Sequence, residues 1–216
     1  MIKEKTLFLV FLLLAVCGEI YAGEFEDTVT KGNQWVQKKD YKKAVEEYHR
    51  ALKINPKSSK ASMLLGLTYT NIGDLDNAVK FTEDSIKIEP SYSAYQNLGL
   101  IYANRGNFDK AYEAYQKALT FNPRSYQPWY QIGLLQASRG NFNDAIQAYQ
   151  KCLELNPFFT DTYLSLASAY YWSGNRAKAI EQVDRLKRLK AKDQAQALED
   201  WIKNKDNLKS QKTPAA

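Results

Sequence analysis

Histidine is nearly absent: in 216 residues it occurs once, as His49. Cysteine occurs twice, as Cys17 and Cys152. A zinc site needs several His, Cys or carboxylate ligands converging on one point, and this supply does not meet that need. A serine nucleophile would also lack its usual imidazole base. The glycines, ten in all, are spread at regular spacing and not gathered into a phosphate-cradling loop. Paired carboxylates such as Glu46–Glu47 and Glu83–Asp84 read as solvated helix faces. The expectation is therefore a chain that is not an enzyme, with no catalytic residue, no metal site and no cofactor. Proline is also scarce, at six, while 44% of residues are hydrophobic and 25% charged. Few breakers in a globular composition point to helix.

A long apolar run is missing too. The stretch TLFLVFLLLAV, residues 6–16, holds eleven uncharged residues, whereas a spanning helix needs about 20. It follows Lys3 and Lys5 and leads to Ala22. A basic start, a short apolar centre and a small exit residue describe a secretory signal peptide over residues 1–22. Cleavage after Ala22 implies an exported protein of the periplasm or cell envelope, with a secreted or lipid-anchored form as the alternatives. The lipid anchor would sit on Cys17, because LAVC at residues 14–17 resembles a lipoprotein box, although Val16 replaces the usual small residue. Cleavage after Ala22 leaves Cys152 alone, so no intrachain disulfide forms and stability comes from packing.

What the chain does have is repetition. RGNFDKAYEAYQKALTFNP, residues 105–123, returns as RGNFNDAIQAYQKCLELNP at 139–157, identical at twelve of nineteen positions. Gly32, Gly66, Gly99 and Gly133 stand 33 or 34 residues apart, and Ala167 continues the series. Ala44, Ala78, Ala111, Ala145 and Ala179 follow each by twelve; Pro56, Pro90, Pro123 and Pro157 follow the first four of those by twelve again. Trp35, Tyr69, Tyr102 and Tyr170 fill an aromatic column that Gln136 interrupts. Small residues in two columns let paired helices approach, and aromatics fill the gaps around them. Gly73, Gly106, Gly140 and Gly174 suit left-handed helix ends. Asp40, Asp74, Asn107, Asn141 and Asn175 suit the caps that start the second helices, and Ser58, Ser91, Ser125 and Thr160 those that start the next first helices. Cys152 shares a column with Ala51, Ser85 and Ala118, as a small core residue would.

This pattern resembles the tetratricopeptide repeat. Trp129, Ile132 and Gly133 open one copy, and Ala145, Tyr149, Cys152 and Pro157 close it. The resemblance implies an all-α, right-handed α-solenoid of five helix-turn-helix repeats: 25–58, 59–91, 92–125, 126–159 and a degenerate 160–193. A capping helix is expected over 193–208, with Ala197, Trp201 and Leu208 on its inward stripe, and a flexible tail over 209–216. Thr28 and Lys31 in the first repeat read as polar substitutions on an outer face.

In this family the first helices line a concave surface where partners lie. Carried over column by column, that surface consists of Asn33, Gln37, Met63, Leu67, Asn71, Gln96, Asn97, Leu100, Asn104, Tyr130, Gln131, Leu134, Ser138, Tyr171 and Trp172. The amides donate to and accept from a peptide backbone, and Leu67, Leu100 and Leu134 offer an apolar strip. Members that clamp the carboxylate terminus of heat-shock chaperones use cations there. The matching positions hold Val29, Asn33, Leu64, Ser93 and Asn97, or, one repeat on, Met63, Leu67, Asn97, Gln127 and Gln131. With no cation among them, that role is rejected. The expected function is a scaffold or adaptor that takes a peptide segment or helix of a partner protein. The alternative is a noncatalytic assembly subunit of an envelope complex, such as secretion, cell-wall or polysaccharide machinery, using its outer face or basic C-terminal end. From Arg176 onward eleven Lys or Arg face six Asp or Glu, which supplies most of the net +6. Export argues against nucleic acid; membrane contact through Cys17 or the basic end stays open.

Overall fold

The computed structural model describes residues 21–212. The expected signal peptide lies almost wholly outside them, as do Cys17 and the last four residues. Eleven helices and no strand occur among the described residues: α1 (21–37), α2 (Tyr41–Ile54), α3 (Ser59–Ile72), α4 (Leu75–Ile88), α5 (Tyr92–Asn104), α6 (Phe108–Phe121), α7 (Gln127–Ser138), α8 (Phe142–Leu155), α9 (Thr160–Trp172), α10 (Arg176–Arg188) and α11 (Lys192–Lys212). The all-α class holds. The chain divides into two compact units, with the boundary between Ala111 and Tyr112 inside α6.

In the first unit each helix packs on its sequence neighbours, α2 on α3, α3 on α4, α4 on α5. Ala44 and Ala78 are fully buried, which lets these helices close in. A Cβ on Gly32 would strike the ring of Tyr48, 2.7 Å from Cδ1. Tyr48 is buried, and desolvation pushes its hydroxyl up to about 12. His49 is half-buried and structural: Nε2 lies 3.2 Å from the Tyr69 hydroxyl, and its ring meets Phe81 edge-on at 5.3 Å. Thr28 departs from its expected outer place. It is 2% exposed, and its hydroxyl donates to the Phe25 carbonyl, so the polar group is satisfied within its own helix.

In the second unit α7 packs on α8, α8 on α9, α9 on α10, and α11 covers both α9 and α10. Cys152 is fully buried with Sγ 3.3 Å from the Thr162 hydroxyl. The capping helix is longer than the sequence suggests. It begins at Lys192 and runs to Lys212, so its last turn takes in residues expected in the tail. Its inward stripe is also different: Ala195, Leu198 and Ile202 are buried, Trp201 is half-buried, and Ala197 and Leu208 are exposed.

The punctuation is mostly as read. Gly73, Gly106, Gly140 and Gly174 all have φ between 74° and 89°. Asp40, Asp74, Asn107 and Asn175 accept from backbone N–H groups three residues on, at 3.2–3.3 Å. Asn141 makes no such bond; its Nδ2 donates to Gln136 Oε1 instead. Ser58 and Ser91 cap α3 and α5. Thr160 is already inside α9, and Ser125 donates to Gln127 Oε1, so neither serves as the expected cap.

Candidate partner-binding face

The first helices of the hairpins each bury one stripe and leave another open. In the first unit the open stripe of α3 carries Leu67, 38% exposed, and Asn71 one turn later. On α5 the same two columns hold Leu100, 40% exposed, and Asn104. Residues four apart on a helix share a face, so each helix presents an apolar side chain beside a free-standing amide. Leu67 and Leu100 each keep more than a third of their surface open. Gln37 is exposed on α1; Met63 and Gln96 are partly covered. Asn33 is exposed, yet its Oδ1 accepts from the Tyr48 hydroxyl at 2.7 Å, which fixes the amide with its NH₂ free to donate outward.

Asn97 is a correction. It is 6% exposed and its Nδ2 donates to Thr82 Oγ1 at 3.1 Å. The cause lies in Thr82, which stands in the column of Tyr48, Tyr115 and Tyr149. A threonine is too short to fill that space, and Asn97 turns inward to meet it. The Thr82 hydroxyl also occupies the place a Cβ on Gly66 would take.

In the second unit the face carries Leu134, 38% exposed, with Ser138 exposed one turn on and Gln131 half-buried. Tyr130 is partly buried, its ring 5.0 Å from Phe159 and 6.0 Å from Tyr149. Tyr171 is a second correction. It is 2% exposed: α11 lies over it, Trp201 meets its ring at 5.3 Å, and its hydroxyl donates to Asp206. Trp172 stays open, with Lys205 Nζ 5.6 Å from its ring centroid. Sequence reasoning missed several exposed apolar side chains, among them Ile72 at the end of α3 and Phe158 before α9. Phe158 carried a signal, because the residue after the repeat proline is Lys57, Ser91 or Arg124 in the other copies.

No group of three or more His, Cys, Asp or Glu that could hold a metal ion occurs among the described residues. Burial holds the Cys152 thiol above its ordinary range, which keeps it protonated.

Two sequence profiles, each described as tetratricopeptide repeat, match this chain, one at residues 92–125 and 126–159, the other at 36–99. The chain belongs to the tetratricopeptide repeat family. Among curated tetratricopeptide relatives, the small glutamine-rich tetratricopeptide repeat-containing protein 2 of Mycosarcoma maydis is 32% identical over 99 residues, covering 45% of this chain and 28% of that protein. Hsp70-Hsp90 organizing protein 3 of Arabidopsis thaliana is 32% identical over 103 residues, covering 47% and 18%. This chain thus spans less than a third of either relative. A crystal structure of MamA protein superposes with a TM-score of 0.70 at 26% identity, covering 78% of this chain and 93% of that one. The helix-turn-helix arrangement is therefore that of a tetratricopeptide solenoid.

Proposed function

We propose that this protein is an exported scaffold whose first-helix face holds an extended or helical segment of a partner protein. The observation that carries the reading is the paired column of open leucines and open amides, Leu67 with Asn71 and Leu100 with Asn104, on adjacent first helices of one unit. A peptide backbone left in contact with protein needs partners for its N–H and C=O groups, and an amide side chain supplies both. Leu67 and Leu100 supply the apolar contact that removes water. Binding here is by shape and hydrogen bonding and needs no chemistry from the site.

A carboxylate-terminal chaperone tail is not the proposed ligand, although one relative is named for Hsp70 and Hsp90. The positions that would grip its charge hold Val29, Asn33, Leu64, Ser93 and Asn97, and Val29 and Asn97 are buried. Export rests on the basic, apolar and small-residue order of residues 1–22.

The test compares the protein with a Leu67→Glu, Leu100→Glu variant and an Asn71→Ala, Asn104→Ala variant, each checked for unchanged helicity by circular dichroism. A protein crosslinked to the wild type in the cell-envelope fraction should be lost from both variants. A synthetic peptide spanning its crosslinked segment should then bind the wild type alone. Equal crosslinking by all three would overturn the reading, and a precursor that is neither processed nor exported would overturn the location.

A further inference from the structure

The second unit has a chemically distinct edge, formed by the turns that leave its second helices. Phe158, in the α8–α9 turn, is 77% exposed, the most open large apolar side chain among the described residues. The α6–α7 turn lies beside it, since Tyr126 and Phe159 meet at 5.1 Å, and it contributes Arg124, which is exposed. The α10–α11 turn flanks it on the other side. Tyr163, at the start of α9, donates to the Pro157 carbonyl at 2.9 Å, which ties α9 to the turn that carries Phe158. Gln194, in the first turn of α11, donates to Asp161 at the start of α9. Arg185 and Arg188 in the last turn of α10, with Lys190 in the turn and Lys192 at the start of α11, which Gln194 ties to α9, are all exposed at this end of the helices. The acidic groups nearby are fewer: Asp161 is held by Gln194, Glu154 is paired with Lys151, and Asp193 is exposed. In the first unit the corresponding turns carry Pro56-Lys57 and Pro90-Ser91, with no aromatic at the tip.

We infer that this edge docks the protein peripherally on an anionic phospholipid surface, with Phe158 entering the headgroup boundary and the surrounding Arg and Lys side chains meeting lipid phosphates. A bilayer accepts a projecting ring without a pre-formed pocket, and aromatic side chains favour its interface. The cations add attraction to a negative surface, and their long stems let the charge reach the phosphates. No described helix is long and apolar enough to cross a membrane, so this contact lies on the surface. It is independent of the peptide-binding face, which uses other helix faces.

Co-sedimentation of the full chain with vesicles of phosphatidylcholine alone, or of phosphatidylcholine mixed with phosphatidylglycerol, tests it. The readout is the ratio of the two affinities, in which any contribution of residues 6–16 is common to every variant. The ratio should fall about fivefold for each charge removed in Arg188→Gln, Lys190→Gln and Lys192→Gln. Phe158→Ala should weaken anionic-vesicle binding about tenfold. The Asn71→Ala, Asn104→Ala variant should bind vesicles as the wild type does. Equal affinity for both vesicle types, or indifference to the triple and Phe158 variants, overturns the inference. So does failure to bind vesicles together with Phe158-dependent binding to a polyglutamate peptide, which would assign the edge to an acidic protein.

Discussion

Gly133→Ala should destabilise the second unit although it places a better helix former in α7. A Cβ at residue 133 would lie 2.5 Å from Tyr149 Cδ1 and 2.9 Å from Cζ, with Cε1 nearer still. Tyr149 is 1% exposed and belongs to the cluster formed with Tyr163, Leu166 and Tyr170, so its ring cannot move aside without disturbing them. Overpacking of this kind costs about 1–3 kcal/mol. Replacing helical glycine by alanine returns about 1 kcal/mol. The net expectation is a loss of up to about 2 kcal/mol. The chain itself contains the compensated pairing: in the fifth repeat Ala167 takes the glycine column and Val183 the tyrosine column, both buried in one cluster. Tyr149→Val alone should cost about 2–4 kcal/mol through the lost ring and the cavity it leaves. In that background Gly133→Ala should become neutral or stabilising by up to about 1 kcal/mol. Urea unfolding followed by circular dichroism supplies the four corners of the cycle, with an expected coupling of about 1–3 kcal/mol. If Gly133→Ala destabilises equally in both backgrounds, ring contact is not why this column is small.

Three further outcomes are expected. Asn97→Ala should cost about 1–2 kcal/mol in urea unfolding, because it leaves the buried Thr82 hydroxyl without its partner, and it should leave partner crosslinking unchanged. His49 titrates below its ordinary 6.5, through desolvation first and then Lys80 and Lys53; its neutral form is favoured when folded, and the unfolded chain takes up the proton first as pH falls. The stability it contributes is complete above about 6.5 and declines as pH drops through the folded value, so His49→Gln should flatten the urea midpoint between neutral and mildly acidic pH relative to wild type. Cys152, buried with its thiol held protonated, should resist alkylation in native protein and react once urea unfolds the second unit, read by peptide mass spectrometry; rapid native labelling would contradict the burial.

Much of the fold is written openly because the same physical problem is solved several times in one chain. The alanine column at residues 44, 78, 111, 145 and 179 recurs where helices touch, and each copy is fully buried. The left-handed turns recur for the same reason. What escaped was whatever depends on a departure in a neighbouring element. Asn97 looks like a groove amide by column, and only the short Thr82 opposite makes it a core residue. Tyr171 looks open beside Trp172, whose column is open in the earlier repeats, but α11 covers it and has no counterpart earlier in the sequence. The inward stripe of α11 itself was misplaced for lack of a second copy to fix its phase. Lys39 adopts φ 59° where later repeats place glycine, so the left-handed turn is kept without the residue that signals it.

The pairing of each helix with the ones just before and after it sets how the chain comes into being. Contacts between close neighbours in sequence carry little loop-closure cost and form quickly. A hairpin leaving the ribosome meets its packing surface already made by the hairpin ahead of it, with no distant segment to await. In the first unit α4 can settle on α3, and α5 on α4, while the remaining third of the sequence or more is still unsynthesised. A protein built this way matures in order along its repeats, and α11, which seals Tyr171, arrives only after the helix it covers.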